Sequence, residues 1–221
     1  MTLEDPQDIQ LEGWILKVRL PTGGDEPQPV IFLIHGWTGD ESSMWVFAPR
    51  LPYSALLVAP RAPYISKHPE IGGYSWVERR AGEFSQLPAF DPALDAFNYL
   101  LAKLAMQFPS ADFSRFGMAG FSQGAAFCFA YAMRNPQRVS RLAALAGFLP
   151  AGSEDQLAKL ANTPVFIAHG VKDEKVPVAK AHAARAALEQ AGVDVQYCEA
   201  DTGHKLGANC FAQLAHFFKS D

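Results

Sequence analysis

The chain has 221 residues, of which 49% are hydrophobic and 19% charged, a composition typical of one soluble globular domain with a sizeable core. Its formal net charge of −4, without any dense run of Lys or Arg, excludes nucleic acid as an expected partner. No apolar stretch reaches the roughly 20 residues that a membrane-spanning helix needs. We therefore expect a single domain over residues 1–221 without integral membrane association.

The N-terminal segment and the cysteines both bear on the compartment. Residues 1–6 are acidic and lack the basic and then apolar pattern of a signal peptide, which predicts no export. The three cysteines, Cys128, Cys198 and Cys210, are odd in number and too widely spaced for a metal site. We therefore predict reduced cysteines in a cytoplasmic protein that needs no metal.

Strand-like and helix-like segments alternate along the chain. The first two predicted strands are an alternating segment at 14–20 and a continuously apolar one at 30–34, as expected for a strand buried on both faces. Five further strands are predicted at 55–59, 116–119, 142–146, 164–168 and 193–199. Helices are predicted at 42–50, 92–108, 123–134, 154–161, 177–191 and 208–219. This alternation predicts an α/β fold with about seven mostly parallel strands flanked by helices.

Residues 60–92 interrupt this alternation. They contain five prolines, three glycines and five aromatic residues. Long loops in compact domains are usually functional, and so many aromatic residues fit poorly with disorder. Since ligand pockets are generally lined by apolar and aromatic side chains, we predict a lid-like pocket wall that includes Tyr64, Tyr74 and Trp76. A purely structural loop is the alternative.

The motif G-F-S-Q-G at residues 120–124 stands between a predicted strand and a predicted helix. A serine in a G-x-S-x-G turn of this kind is the nucleophile elbow of α/β-hydrolases. The glycines have a steric reason, because the turn is tight and a Cβ beside the serine would clash. We predict that Ser122 is a nucleophile, although the motif alone also fits an ordinary glycine-rich turn.

A serine hydroxyl becomes a nucleophile when a histidine takes its proton and a carboxylate orients that histidine. In α/β-hydrolases the acid and then the histidine follow the serine along the chain. Asp173 comes just past the strand at 164–168, and His204 lies between the last strand and the last helix. Functional groups in such sheets gather at the carboxyl ends of the strands. We therefore predict Asp173 as the acid and His204 as the base.

Other assignments stay open at this stage. Asp173 could instead cap the turn that follows it, and the rival acids are Glu174, Glu199 and Asp201. His35 and His169 each precede a glycine at a strand end, which is typical of histidines that make turn hydrogen bonds. The remaining histidines, which are less well placed than His204 to be the base, are His68, His182 and His216.

The oxyanion that forms on attack needs donors aimed at it in advance, usually backbone N–H groups. One predicted donor is the amide of Gln123, at the N-terminus of the helix that follows the serine. The other is the amide of Trp37, in the loop after the strand at 30–34. The indole of Trp37 is expected to line the acyl pocket.

Together these motifs resemble the phospholipase/carboxylesterase family of small α/β-hydrolases, which includes acyl-protein thioesterases and bacterial carboxylesterases. The resemblance covers about residues 28–218. It rests on H-G-W-T-G-D at 35–40, A-P at 62–63, S-W-V at 75–77, G-F-S-Q-G at 120–124, H-G-x-x-D-x-x-V-P at 169–177 and G-H at 203–204. It implies hydrolysis of small-molecule carboxylic esters or thioesters without a cofactor, in a family where homodimers are frequent.

The chain also departs from the family pattern. Residues 37–40 are W-T-G-D where many members have L-G-D, while Val77 and Glu78 replace an aromatic residue and an aspartate. These differences favour a serine carboxylesterase for short to medium acyl chains. The alternatives are a lysophospholipase or acyl-protein thioesterase with the same triad, acyl transfer to an alcohol, and a non-catalytic binding module on a hydrolase fold.

Overall fold

The computed structural model describes residues 6–23, 27–68, 70–78 and 84–219. The strands in these ranges are β1 (Gln7–Leu11), β2 (Trp14–Arg19), β3 (Val30–Ile34), β4 (Leu56–Pro60), β5 (Tyr64–Ile65), β6 (Tyr74–Ser75), β7 (Phe116–Phe121), β8 (Val139–Leu145), β9 (Val165–Gly170) and β10 (Val195–Ala200). The α-helices are α1 (Asp91–Gln107), α2 (Gln123–Arg134), α3 (Val178–Gln190) and α4 (Ala208–Phe217). Short 3-10 helices cover Trp45–Arg50, Leu87–Phe90 and Glu154–Leu160.

Eight strands form one sheet in the order β1-β2-β4-β3-β7-β8-β9-β10. The first three strands in this order pair antiparallel, and every pair from β4 to β10 is parallel. The prediction of an α/β fold with a mostly parallel sheet is therefore confirmed. The additional strand, β1, was missed because it is polar and largely exposed at the edge of the sheet.

Helices cover both faces of the sheet, which explains why its central strands are continuously apolar. Successive strand residues point to opposite faces. In β3, Phe32 packs with Phe97 of α1 on one face, while Leu33 belongs to the cluster on the other face that contains Phe217 of α4. The core is thus divided between two layers, and the loops at the carboxyl ends of the strands remain available for a site.

The predicted helices at 42–50 and 154–161 are wrong in type, since both segments form 3-10 helices. The first contains Pro49, which removes a backbone donor and clashes with an α-helical turn. The second is a short connector, the usual place for 3-10 geometry. The four α-helices lie close to their predicted bounds. Throughout the described residues, no helix has the length and apolarity needed to cross a membrane.

The prediction of reduced cysteines is wrong for two of the three. Cys198 in β10 and Cys210 in α4 form a disulfide, with their Cα atoms 5.7 Å apart. Wide spacing along the sequence did not reveal this pair because the packing of α4 against β10 brings the two residues together. Cys128 is free and buried in α2, and burial raises the pKa of its thiol well above the ordinary value.

The segment 60–92 pairs with the loop that follows β3. β5 and β6 form a small antiparallel sheet, and the backbone of Tyr74 exchanges hydrogen bonds with Thr38 and Gly39, each 2.9 Å long. Gly73 has a φ of +78°, and a Cβ there would lie 2.0 Å from the Thr38 carbonyl oxygen. Only glycine fits this close approach. Pro69 and residues 79–83, including Gly82, belong to the predicted lid-like wall but lie outside the described residues.

Candidate active site

Ser122 lies in the turn between β7 and α2 with a φ of +53° and a ψ of −116°, a backbone conformation that non-glycine residues rarely adopt. Its N–H donates a 2.8 Å hydrogen bond to the Leu145 carbonyl of β8. A Cβ on Gly120 would lie 2.3 Å from the Gly124 oxygen, and a Cβ on Gly124 would lie 2.2 Å from the Ile34 oxygen. Both glycines are therefore required, and the turn presents the serine at the carboxyl edge of the sheet.

Asp173 lies in the turn after β9 and is hydrogen-bonded to His204. Its Oδ2 atom accepts from Nδ1 of His204 at 2.7 Å, and its Oδ1 atom accepts from the amides of Lys175 and Val176, both at 2.9 Å. The contacts of a cap and the contact expected of a triad acid therefore coexist, one kind on each carboxylate oxygen. The bond to His204 places that ring's proton on Nδ1, which leaves Nε2 as the basic nitrogen.

The rival acids have other contacts. Glu174 is exposed to solvent, and Glu199 accepts a 2.6 Å hydrogen bond from the Tyr197 hydroxyl. Asp201 pairs with the ammonium group of Lys172 at 2.7 Å. Among the described residues, only Asp173 of these four carboxylates is hydrogen-bonded to His204. The geometry therefore favours the predicted acid.

A second histidine lies beside the acid. His169 is buried, donates from Nε2 to the Val176 carbonyl at 2.8 Å, and lies 3.3 Å from Oδ2 of Asp173. Its hydrogen bond to the backbone agrees with the turn-making role predicted from the sequence. The sequence analysis did not predict the contact with Asp173, although the short spacing between His169 and Asp173 in the H-G-x-x-D motif could have indicated it.

His35 connects the loop after β3 to the segment 60–92. Its Nδ1 atom donates to the Gly36 carbonyl at 2.7 Å, and its Nε2 atom accepts from the Ala62 amide at 3.0 Å. Burial lowers the pKa of His35 to about 4, so the ring is neutral near pH 7. A neutral imidazole is the form that can donate from one nitrogen and accept at the other.

Gln123 begins α2, and its side chain and its backbone N–H have different surroundings. Its side-chain oxygen accepts a 2.9 Å hydrogen bond from the amide of Trp76, whose indole in turn donates to the His35 carbonyl at 2.8 Å. Its backbone N–H belongs to the first helical turn, where no intrahelical acceptor exists and the helix dipole favours an anion. Trp37, the other predicted oxyanion donor, lines the same cavity as Ser122 and Gln123. The oxyanion role of the two amides stays a prediction.

A cavity of about 880 Å³ opens beside Ser122 and His204. Both residues are in the described part of the chain, and no direct hydrogen bond joins them. Hydrogen bonds between a catalytic serine and histidine often tighten only when substrate is bound. The wall residues that were not singled out from the sequence are mainly apolar and come from the 3-10 segment after β3, from the segment 60–92, from α4 and from the connecting loops. They include Met44, Val46, Phe47, Ile71, Phe84, Phe148, Leu206 and Phe211.

Trp37 lines this cavity, and the other three predicted wall residues do not. Trp76 is fully buried beneath the site, because its indole N–H and ring are used against His35 and Phe127. Tyr74 packs against the guanidinium of Arg61, and Tyr64 packs against the core. The pocket prediction is therefore wrong for Tyr64, Tyr74 and Trp76.

Burial lowers the pKa of His204 below its ordinary 6.5, and the charge of Lys175 lowers it further, while Asp173 opposes both effects. A general base must be neutral to accept a proton, and a lowered pKa keeps it neutral at more acidic pH. We expect kcat/KM for an uncharged ester to rise with pH and to reach half its maximum below pH 6.5. A pH–rate profile checks this, and a midpoint above 6.5 would contradict it.

The mainly parallel sheet between helices, with a serine at a strained strand-to-helix turn, is the architecture of an α/β-hydrolase. The sequence model of the phospholipase/carboxylesterase family matches residues 18–220, and the chain belongs to this family. It is accordingly a hydrolase of the α/β-hydrolase superfamily. A comparison with curated protein sequences finds no match.

Similar solved structures include a carboxylesterase from Mesorhizobium loti, at 21% identity and a TM-score of 0.79, covering 99% of this chain and 100% of that one. A Bacillus cereus carboxylesterase shares 18% identity with a TM-score of 0.74, over 92% of this chain and 93% of its own. Zea mays acyl-protein thioesterase 2 shares 19% identity with a TM-score of 0.70, over 91% and 96%. At such identities these likenesses show the fold alone.

Proposed function

We propose that the protein is a serine carboxylesterase that hydrolyses esters of short to medium acyl chains through an acyl-enzyme on Ser122. The observation that carries this proposal is the 2.7 Å hydrogen bond between Asp173 and His204, at a cavity that Ser122 also lines. The strained backbone of Ser122 supports the same role, because such conformations persist at sites that need an exposed nucleophile.

These positions support the following reaction. Ser122 Oγ attacks the acyl carbonyl while Nε2 of His204 accepts the hydroxyl proton, and Asp173 stabilises the imidazolium that forms. The amides of Trp37 and Gln123 hold the oxyanion. His204 then gives its proton to the leaving alcohol, a new ester bond joins the acyl group to Ser122, and water activated by His204 hydrolyses that ester.

The preference for short to medium chains rests on Trp37. Its indole lies 5.4 Å from the ring of His68, and both residues line the cavity with Ser122, so we expect the two rings to limit the room for an acyl chain. A second candidate, a lysophospholipase or acyl-protein thioesterase, is favoured by the cavity volume, which is near the top of the usual range for ligand sites. Val46 and Ile71, each 62% exposed, add apolar surface at the cavity wall.

A series of p-nitrophenyl esters of increasing chain length separates the two candidates. The carboxylesterase proposal expects a steep loss of kcat/KM beyond roughly eight carbons, because a bounded apolar wall accommodates only a limited chain. Trp37→Leu should move this limit to longer chains, and Trp45→Leu, which changes a tryptophan outside the cavity lining, should not. Undiminished turnover of long chains by the unaltered protein would favour the second candidate.

A fluorophosphonate probe tests the remaining alternative, a binding module without catalysis. The proposal expects one covalent adduct on Ser122, since only an activated serine reacts. Acyl transfer would instead show as ester exchange when a small alcohol is added to the assay.

The cytoplasmic location and a homodimer stay predictions. The Cys198–Cys210 disulfide weighs against a cytoplasmic location, because such bonds are rare in reducing compartments.

A further inference from the structure

One side of the active-site cavity is cationic. Two lysines, Lys175 and Lys205, belong to its lining, and among the described residues that line it none is an aspartate or a glutamate. The whole chain carries a formal net charge of −4. The positive charge at the cavity is therefore local and opposite in sign to the protein as a whole.

Both lysines flank the acid–histidine pair and have their charges available. Lys205 follows His204 directly, and Lys175 lies in the turn after β9. Both are exposed, and within the described ranges neither ammonium group is paired with a carboxylate. Lys172, in the same turn as Lys175, differs in this respect, because it pairs with Asp201 and does not line the cavity.

The position beside His204 indicates which part of a substrate the lysines would meet. The histidine that accepts the serine proton later donates it to the leaving group, so the leaving oxygen or sulfur must lie within hydrogen-bond reach of Nε2 of His204. Any substituent on that leaving group then extends past the residues next to His204. Among the lining residues, Lys175 and Lys205 are therefore the charged groups that we expect on the leaving-group side of the scissile bond.

We propose that the substrates of this enzyme carry an anionic substituent, a phosphate or a carboxylate, on the leaving alcohol or thiol, and that Lys175 and Lys205 bind it. This inference rests on the proposed esterase function, because it uses His204 as the proton donor to the leaving group. Exposed charge pairs are individually weak, so each lysine should contribute about a threefold preference. The two together should favour an anionic leaving group by about tenfold at low ionic strength.

Three butyrate esters of similar phenols test the proposal. The leaving groups are meta-hydroxybenzoate, meta-hydroxyphenyl phosphate and the uncharged methyl meta-hydroxybenzoate, and each kcat/KM is divided by the rate of hydroxide-catalysed hydrolysis. We expect both anionic esters to exceed the neutral one by about tenfold, with the advantage falling as salt is added. The stronger of the two anionic substrates identifies whether phosphate or carboxylate is the better fit.

Charge variants assign the effect to residues. Lys175→Gln and Lys205→Gln should each lower the ratio of anionic to neutral kcat/KM by about threefold, and the double variant should abolish the preference. Arginine at both positions should retain it. Lys172→Gln, which removes the same charge from the same turn without touching the cavity, should leave the ratio unchanged. The ratio cancels any change in the reactivity of His204.

The inference is overturned if the unaltered protein does not prefer the anionic esters, if the double variant keeps the preference, or if Lys172→Gln lowers it equally. Failure of the underlying function gives a different result. In that case none of the three esters is hydrolysed, or hydrolysis of the neutral ester survives Ser122→Ala.

Discussion

Replacing Ser122 with alanine is expected to lower kcat for a p-nitrophenyl ester by at least about 10⁴-fold. In the proposed mechanism this hydroxyl is the nucleophile, and without it His204, which is hydrogen-bonded to Asp173, has no serine proton to accept. Triad members act as a unit, so Ser122→Ala combined with His204→Ala should be no slower than Ser122→Ala alone. Steady-state kinetics of both variants provide the measurement.

The control for this prediction is Ser114→Ala. Ser114 is exposed, hydrogen-bonds to Asp112, and lies just before β7, at the far end of the strand that leads to Ser122. We expect Ser114→Ala to keep near-normal turnover and Ser122→Ala to keep a near-normal Tm. Turnover by Ser122→Ala above about one hundredth of the original would show that another residue is the nucleophile.

The parts of the fold that the sequence predicted well are those decided locally. β3 and β4 are continuous apolar runs, and such runs have few alternatives to a buried strand. β1 was missed because edge strands need little apolar surface, so only its pairing with β2 reveals it. The two 3-10 segments have helical periodicity, which does not distinguish a short 3-10 helix from an α-helix.

The candidate site divides in the same way. Ser122, Asp173 and His204 each stand in a short motif whose order along the chain is characteristic, so they could be proposed from the sequence. The wall residues Phe47 and Phe211 come from distant segments that only the tertiary fold brings together; their rings stack at 5.2 Å. No local pattern marks them as neighbours.

Part of the segment 60–92 does line the cavity, through His68, Ile71 and Phe84, and the error over its other aromatic residues has a specific cause. Aromatic content indicated a pocket wall, but it does not say which way each ring faces. Trp76 has an indole N–H that finds an acceptor at the buried His35 carbonyl, and Tyr74 is held by Arg61, which itself pairs with Glu41. The polar atoms of these rings fix their orientation, because the buried Trp76 indole N–H needs an acceptor and the Tyr74 hydroxyl accepts from Arg61.

The two cysteines of the disulfide lie on either side of His204, the proposed base, along the chain. Cys198 lies in β10 and Cys210 lies in α4, so the bond closes the chain on both sides of the loop that carries His204. Loop residues are held by fewer contacts than strand or helix residues, and a covalent closure restricts how far they can move. The bond should therefore stabilise the fold and also hold His204 near Asp173.

Removing this disulfide, by Cys198→Ala with Cys210→Ala, is expected to lower the free energy of unfolding by about 3 kcal/mol. This is the value that loop-closure entropy gives for two cysteines with a sequence separation of 12. For a protein of this size that corresponds to a fall in Tm of about 6–12 °C. Thermal unfolding with and without reductant measures it. Reductant should lower the Tm of the unaltered protein and leave the double variant unchanged.

Thiol counting and kinetics separate the structural and functional parts of this prediction. The denatured protein without reductant should show one reactive thiol, Cys128, and a count of three would contradict the disulfide itself. The kcat of the double variant is measured well below its Tm and compared with that of the unaltered protein. A lower kcat, from a variant whose Tm reductant does not change, would mean that the closure also positions His204. Unchanged kcat in the fully folded double variant would confine the disulfide to stability, because the hydrogen bond to Asp173 then suffices to orient the base.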